Sequence, residues 1–143
     1  MTVRLAAIVA LAALVAAGTG LAKEIRPGQF RVCNDAKSPA IFDAGALRAF
    51  SAFYWGDARV ERTAAPSRRA PAFTVKLTGR VIGVVAGRRL DRVLVYGVYC
   101  GRFRRGAWYR LPERAAMGVR RLTAGLVAQR VPRRVPRRVP RAC

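Results

Sequence analysis

The chain has no histidine, and this absence excludes several classes of function at once. Ser-His-Asp and Cys-His catalysis, zinc sites with imidazole ligands and histidine pH switches all require that side chain. Carboxylates are scarce as well, with seven Asp and Glu in 143 residues. Asp57 and Glu61 form one i, i+4 pair, which the neighbouring Arg59 and Arg62 explain as surface charge. We therefore predict no enzymatic activity, no metal site, no cofactor and no small-molecule substrate.

Lysine is also rare, whereas arginine is abundant. The 28 Lys and Arg residues include only Lys23, Lys37 and Lys76 as lysines, and the formal net charge is +21. The hydrophobic fraction of 52% is too high for a simple disordered polycation, so we expect one packed domain beneath a basic surface. Residues 102–143 hold 13 arginines and one acid, which concentrates the positive charge in the last third of the chain.

Long apolar runs are limited to the N-terminus. Arg4 precedes an uninterrupted apolar run over residues 5–17, and a site of small residues ends at Ala22. Residues 1–22 therefore predict a signal peptide that is cleaved after Ala22, with export to the periplasm or to the outside of the cell. The alternative is an uncleaved membrane anchor, although a spanning helix needs about 20 apolar residues.

Cysteine is sparse too, with three residues and no Cys-x-x-Cys spacing. In an oxidising compartment, two cysteines of one small domain tend to pair. Cys33 and Cys100 are the preferred pair because both fall in strand-like segments, which leaves Cys143 as a free thiol able to link two chains. Three unpaired thiols are the alternative.

Alternating and aromatic patterns predict a small α+β fold. Residues 30–34 alternate as a short strand, and residues 73–101 contain two or three strands of an antiparallel β-meander. Residues 43–58 predict a helix that begins at Asp43, and we expect its aromatic cluster to fill the core rather than to bind a ligand. Residues 23–111 are expected to form this small exported β-rich domain.

The first strand also resembles part of a known family. Residues 30–34, Phe-Arg-Val-Cys-Asn, and the following Lys37-Ser38-Pro39 are similar to the start of a family of small exported bacterial proteins of unknown function. The tryptophan-rich and tyrosine-rich segments of that family are not found after Ala40. The resemblance implies a small exported β-rich domain and implies no activity.

The C-terminal third contains three basic segments. Arginines interleave with aromatics in residues 102–110, a composition shared by single-stranded nucleic-acid platforms, cationic membrane-active segments and turns with solvated arginines. Residues 112–130 predict a basic amphipathic helix, which either lies on a membrane surface or packs on the domain. In residues 131–143 Val-Pro-Arg-Arg recurs every four residues, which predicts an extended tail that is disordered when unbound.

These features favour an exported protein that binds polyanions non-specifically, either an anionic envelope surface or nucleic acid. Such binding releases counterions and falls steeply with salt. We expect the binding residues to be ten arginines and one tryptophan from the last third of the chain. They are Arg102, Arg104, Arg105, Trp108, Arg110, Arg120, Arg121, Arg133, Arg134, Arg137 and Arg138.

Two alternatives stay open. One is an exported structural or inhibitory module whose loops contact a protein partner, and this module would tolerate deletion of the tail after Arg130. The other is a partly out-of-frame translation product, because GC-rich codons explain 25 arginines against three lysines and the family likeness ends near Ala40. The patterned residues 73–100 argue against this second alternative.

Overall fold

The computed structural model of the protein describes residues 29–35, 38–56, 59–78, 80–97 and 102–138. The predicted signal peptide, Asp57, Cys100 and Cys143 lie outside these residues. Neither helix of the described part is long and apolar enough to cross a membrane.

Within the described residues, strands and helices combine in an α+β arrangement, as the sequence predicts. The elements in chain order are β1 (Phe30–Cys33), β2 (Pro39–Ile41), α1 (Ala44–Trp55), β3 (Pro71–Leu77), β4 (Arg80–Ala86), β5 (Arg92–Val95), β6 (Trp108–Arg110), α2 (Glu113–Thr123) and β7 (Gln129–Arg130). The strands form one antiparallel sheet in the order β2-β1-β3-β4-β5-β6, and β7 pairs with β3. The predicted β-meander is β3, β4 and β5.

The two faces of the sheet carry two separate apolar clusters, because side chains alternate along each strand. Phe73, Val85 and Val93 lie side by side on the first face, in the larger cluster. Val84 and Leu94 lie opposite each other on the second face, in a smaller cluster. The residues of β4 are buried on both faces, so each face needs a cover.

The first face is covered by α1. The helix begins where the Asp43 carboxylate accepts a hydrogen bond from the Ala46 amide at 2.8 Å. Phe50, Phe53 and Tyr54 are buried, so the aromatic cluster predicted for this helix lies in the core, as expected. These rings also contact the Phe30 and Phe103 rings at centroid distances of 5.2 to 6.4 Å.

The second helix, α2, packs beside α1 on the same face. Its apolar residues Ala115, Ala116 and Val119 are buried, so this helix packs on the domain rather than presenting its apolar face to solvent. It ends at Thr123 and not at the predicted residue 130. The Thr123 hydroxyl donates back to the Val119 carbonyl at 2.8 Å, a turn follows, and residues 129–130 continue as β7.

The second face is partly covered by residues 131–138, which we call the tail strap. Val131 is 7% exposed and, with Val135, packs against the second-face cluster. This placement differs from the disorder expected for the whole tail. The Val-Pro-Arg-Arg repeat alone has nothing to pack against, but the sheet supplies an apolar strip that becomes visible only once its strands are paired. Residues 139–143 lie outside the described part of the chain.

Candidate functional site

The tail strap separates its apolar and charged residues by position in the repeat. Val131 and Val135 contact the sheet, while Pro132 and Pro136 are half-buried. The remaining two positions of each repeat are arginines, and all four are exposed: Arg133, Arg134, Arg137 and Arg138. The chain bends at residues 133–134 and again at residues 137–138, so each arginine pair lies at a bend of the strap.

Several contacts hold the strap on the sheet. At its start, β7 pairs with β3, and the side chains of Gln129 and Thr74 exchange hydrogen bonds at 3.1 and 3.2 Å. At its far end, the Arg105 guanidinium donates to the carbonyl oxygens of Pro136 and Arg137. The backbone is therefore held on both sides of Arg133 and Arg134, and Arg137 and Arg138 follow at the second of these contacts.

A cleft at the end of the sheet adds four more arginines. This sheet-end cleft has a volume of about 610 Å³ and lies between residues 66–71 and the connection from β4 to β5. The residues that line it include four arginines and one acidic residue, Asp91. The four arginines are Arg69, Arg88, Arg89 and Arg92.

The cleft and the strap are continuous. Pro71, which lines the cleft, pairs with Arg130 at the start of the strap, and Ala70 of the cleft belongs to the same apolar cluster as Val131. Arg69 precedes β3, whereas Arg88 and Arg89 lie in the connection from β4 to β5. Only the pairing of β3 with β4 brings them together, so no spacing along the chain indicates this cleft.

The arginines predicted for the site divide into two groups. Apart from half-buried Arg102 and Arg120, all the predicted arginines are exposed. Three of them face a carboxylate: Arg110 with Glu61 at 3.4 Å, Arg120 with Glu113 at 2.6 Å and Arg121 with Asp43 at 2.6 Å. Their charges are therefore partly cancelled locally, whereas the four strap arginines belong to none of these three ion pairs of the described residues.

The aromatic rings of residues 102–110 do not form an open platform. Phe103 and Tyr109 are each 3% exposed, and the Tyr109 hydroxyl accepts the Arg104 amide at 2.7 Å. Trp108 is half-buried against the second-face cluster. Arg102 donates to the Phe53 carbonyl at 3.0 Å and lies over the Phe103 ring. Base stacking on the two buried rings is excluded, and Arg104 and Arg105 are the exposed arginines of this segment apart from Arg110.

Burial in the second-face cluster changes the acidity of one tyrosine, Tyr96. Tyr96 belongs to the second-face cluster and is buried. Burial, with a smaller contribution from the negative charge of Asp35, raises the pKa of Tyr96 to about 12. At the start of α1, the pKa of Asp43 is lowered, first by the Ala46 amide and then by the Arg121 guanidinium.

Only one cysteine of the predicted disulfide, Cys33, is among the residues that the structure describes. Cys33 is 1% exposed at the end of β1, and its sulfur lies 3.8 Å from the Thr74 carbonyl oxygen. Its predicted partner Cys100 and the predicted linking residue Cys143 are outside the described residues. The pairing therefore stays a prediction. In the described part of the chain, no three His, Cys, Asp or Glu side chains are grouped as metal ligands.

Comparisons with known proteins add no relatives. No protein-family model, no curated protein and no solved structure matches this chain. The resemblance at residues 30–34 to small exported bacterial proteins therefore stays a prediction, and the function has to be argued from the basic surface itself.

Proposed function

We propose that the protein binds polyanions, and that it does so through one continuous basic surface made of the tail strap and the sheet-end cleft. The observation that carries this proposal is the orientation of the strap. Its two valines pack against the sheet, and its two arginine pairs are exposed to solvent. The strap lies beside a cleft that is lined by four arginines and one aspartate. Guanidinium groups bind phosphate and carboxylate oxygens in bidentate geometry, which suits this surface to anionic polymers.

Preorganisation of the strap supports tight binding. A disordered cationic tail must be ordered when it binds, at a cost of roughly 1 kcal/mol or more per residue. Here the backbone is already held by β7 and by Arg105, so that cost is met during folding. The binding would be non-specific in sequence, because contacts to phosphate oxygens position a protein and carry no base information.

The proposed targets are surfaces with regularly spaced phosphates, either nucleic acid or the anionic headgroups of an envelope. Export of the chain, inferred from residues 1–22, would place it where both occur outside the cytoplasm. Intact and peptide mass spectrometry of the protein from its host tests this part. We expect a mature chain that begins at Lys23, with Cys33 linked to Cys100 and peptides that continue in frame beyond Ala40.

The binding surface is tested with two variants that lose the same charge. The first replaces the four strap arginines by glutamine. The second replaces by glutamine four exposed arginines that lie outside the strap and line no cavity of the described residues, namely Arg62, Arg80, Arg104 and Arg121. Fluorescence polarisation with labelled double-stranded DNA and co-sedimentation with phosphatidylglycerol vesicles measure the affinity of each.

We expect the strap variant to lose at least about tenfold in affinity for the target, whereas the control loses less than about threefold. Equal losses in the two variants would mean that net charge alone drives binding, and the proposed surface would be wrong. If one target responds to the strap variant and the other does not, the responding polyanion is the one that this surface recognises.

A further inference from the structure

A second cavity lies on the opposite side of the sheet from the tail strap. This interhelix cavity has a volume of about 600 Å³ and is bounded by α1, by residues 59–61 and by the start of α2. Its volume falls within the range typical of small-molecule sites. It exists because α1 presents small residues here: Gly45, Ala49 and Ala52 lie on one side of the helix and leave room between α1 and the neighbouring segment.

The lining of this cavity is apolar at its base and cationic at its rim. The base is formed by Ala49, Phe53, Val60 and Ala115, and Ala49 and Val60 pack against the first-face core. Four arginines that are exposed to solvent also line the cavity and form its rim, namely Arg48, Arg59, Arg110 and Arg114. A site with this lining suits a ligand that has a hydrocarbon body and a charged end.

The sign of the rim charge selects the charged end of the ligand. Arg110 faces the Glu61 carboxylate at 3.4 Å. Arg48, Arg59 and Arg114 take part in no ion pair among the described residues, and all three are exposed. The rim therefore carries an excess of about three positive charges above an apolar base, which favours an anionic head and opposes a cationic one.

We propose that the interhelix cavity binds an anionic amphiphile, a hydrocarbon chain with a single anionic head, and that the rim arginines hold the head while the chain lies against Phe53 and Val60. This site is separate from the polyanion surface, because the strap and the cavity lie on opposite faces of the sheet. A highly charged polymer cannot enter an apolar cavity without losing its hydration, so the two sites take different ligands.

The test uses laurate as the probe and isothermal titration calorimetry as the measurement. We expect saturable binding of laurate to the wild-type chain, with affinity rising by about fourfold for each methylene that enters the cavity when octanoate, decanoate and laurate are compared. Neutral dodecanol should bind more weakly, since it lacks the charge that the rim arginines attract. Absence of saturable laurate binding, or equal affinity for all three chain lengths, would overturn the proposal.

Two variants locate the site. Ala52→Trp fills the cavity and should abolish laurate binding. The double variant Arg48→Gln, Arg114→Gln keeps the cavity, so the affinity for laurate should fall about tenfold while the affinity for dodecanol stays unchanged. Arg80→Gln, Arg104→Gln removes the same charge from exposed residues outside the cavity, the cleft and the strap and serves as the matched control, with laurate affinity expected within about twofold of wild type. Urea unfolding verifies that each variant is folded. If the control loses as much as the rim variant, the cavity is not the binding site and the proposal is wrong.

Competition between laurate and lipid vesicles distinguishes a membrane lipid from a free fatty acid as the source of the amphiphile. If the protein binds phosphatidylglycerol vesicles, and both laurate and Ala52→Trp abolish that binding, the ligand is a membrane lipid. Laurate binding without such competition would identify a free fatty acid. Binding of vesicles that depends on the strap arginines alone, together with no laurate binding, would overturn this inference and leave the polyanion proposal standing.

Discussion

Substitution of Gly118 by alanine tests the packing of α2 on α1, which shapes the interhelix cavity. A Cβ atom at Gly118 would lie 2.8 Å from the Ala46 Cβ atom and 3.0 Å from the Ala46 Cα atom. Non-bonded carbon atoms prefer about 3.5 to 4.0 Å, so the two helices would have to separate by roughly 0.7 Å or more. The contact is with backbone and with the stub of an alanine, and no flexible side chain can move out of the way.

The magnitude follows from two opposing effects. Alanine in place of glycine in a helix interior stabilises by about 1 kcal/mol. Overpacking of a close contact of this kind costs about 1 to 3 kcal/mol. We therefore expect Gly118→Ala to lower the free energy of unfolding by up to about 2 kcal/mol, and Gly118→Val, which adds bulk without the helix propensity of alanine, to lower it further.

Urea unfolding followed by circular dichroism measures these changes. Gly125→Ala is the matched control, because nothing lies within 4 Å of an added Cβ atom there. Its effect should stay within about 0.5 kcal/mol. Removal of the opposing methyl group in the double variant Gly118→Ala, Ala46→Gly should recover part of the loss through a favourable coupling energy. A Gly118→Ala protein about 1 kcal/mol more stable than wild type would refute the close helix contact.

Three further predictions concern the start of α1 and the second face of the sheet. Because folding lowers the pKa of Asp43, the carboxylate should stabilise the fold fully above pH 3.8, and this stabilisation should be lost as the pH falls through the pKa of the folded state. Asp43→Ala should lower the free energy of unfolding in urea by about 1 kcal/mol at neutral pH. Phenolate absorbance should show that Tyr96 ionises at about pH 12, and the protein should lose stability as the pH rises from the ordinary tyrosine pKa of 10.0 to 12. Ionisation at the ordinary pKa would contradict the burial of this side chain. The double variant Val131→Ser, Val135→Ser should release the tail strap, seen as faster trypsin cleavage after Arg133 and Arg134. An unchanged cleavage rate would show that the valines do not hold the strap.

The elements that sequence patterns predict well are those whose signal is local. The alternation in residues 73–77 and the β-branched run in residues 92–95 specify strands without reference to any partner. Asp43 marks the start of α1 through its capping geometry, and the aromatic spacing after it identifies the buried side of the helix. These features hold in the structure because tertiary contacts reinforce them rather than override them.

The elements that sequence patterns miss depend on contacts between distant parts of the chain. The strap lies on an apolar strip to which Ala72, Val84 and Leu94 contribute, one from each of three strands, and no window of sequence contains that strip. The sheet-end cleft likewise brings Arg69 beside Arg88 through strand pairing. The end of α2 at Thr123 follows from a turn and from the pairing of β7 with β3, which competes with the helix for the same residues.

The three ion pairs refine the expectation that ten arginines of the last third bind polyanions. Arg121 connects α2 to Asp43 at the start of α1 at 2.6 Å, whereas Arg120 pairs with Glu113 of α2 itself at 2.6 Å and also donates to the Arg89 carbonyl. These pairs are partly exposed and contribute little to stability, on the order of 1 kcal/mol or less each. Their main consequence is electrostatic, since no strap arginine belongs to one of these pairs and the cleft sets four arginines against one aspartate.

The salt dependence of binding tests the proposed polyanion surface most directly. For double-stranded DNA, the slope of log affinity against log salt is about −0.9 for each phosphate that the protein neutralises. Contact by about eight arginines of the strap and the cleft therefore predicts a slope near −7 for the wild-type chain, and near −3.5 once the four strap arginines are replaced by glutamine. An unchanged slope in that variant, or a wild-type affinity that does not respond to salt, would contradict the account.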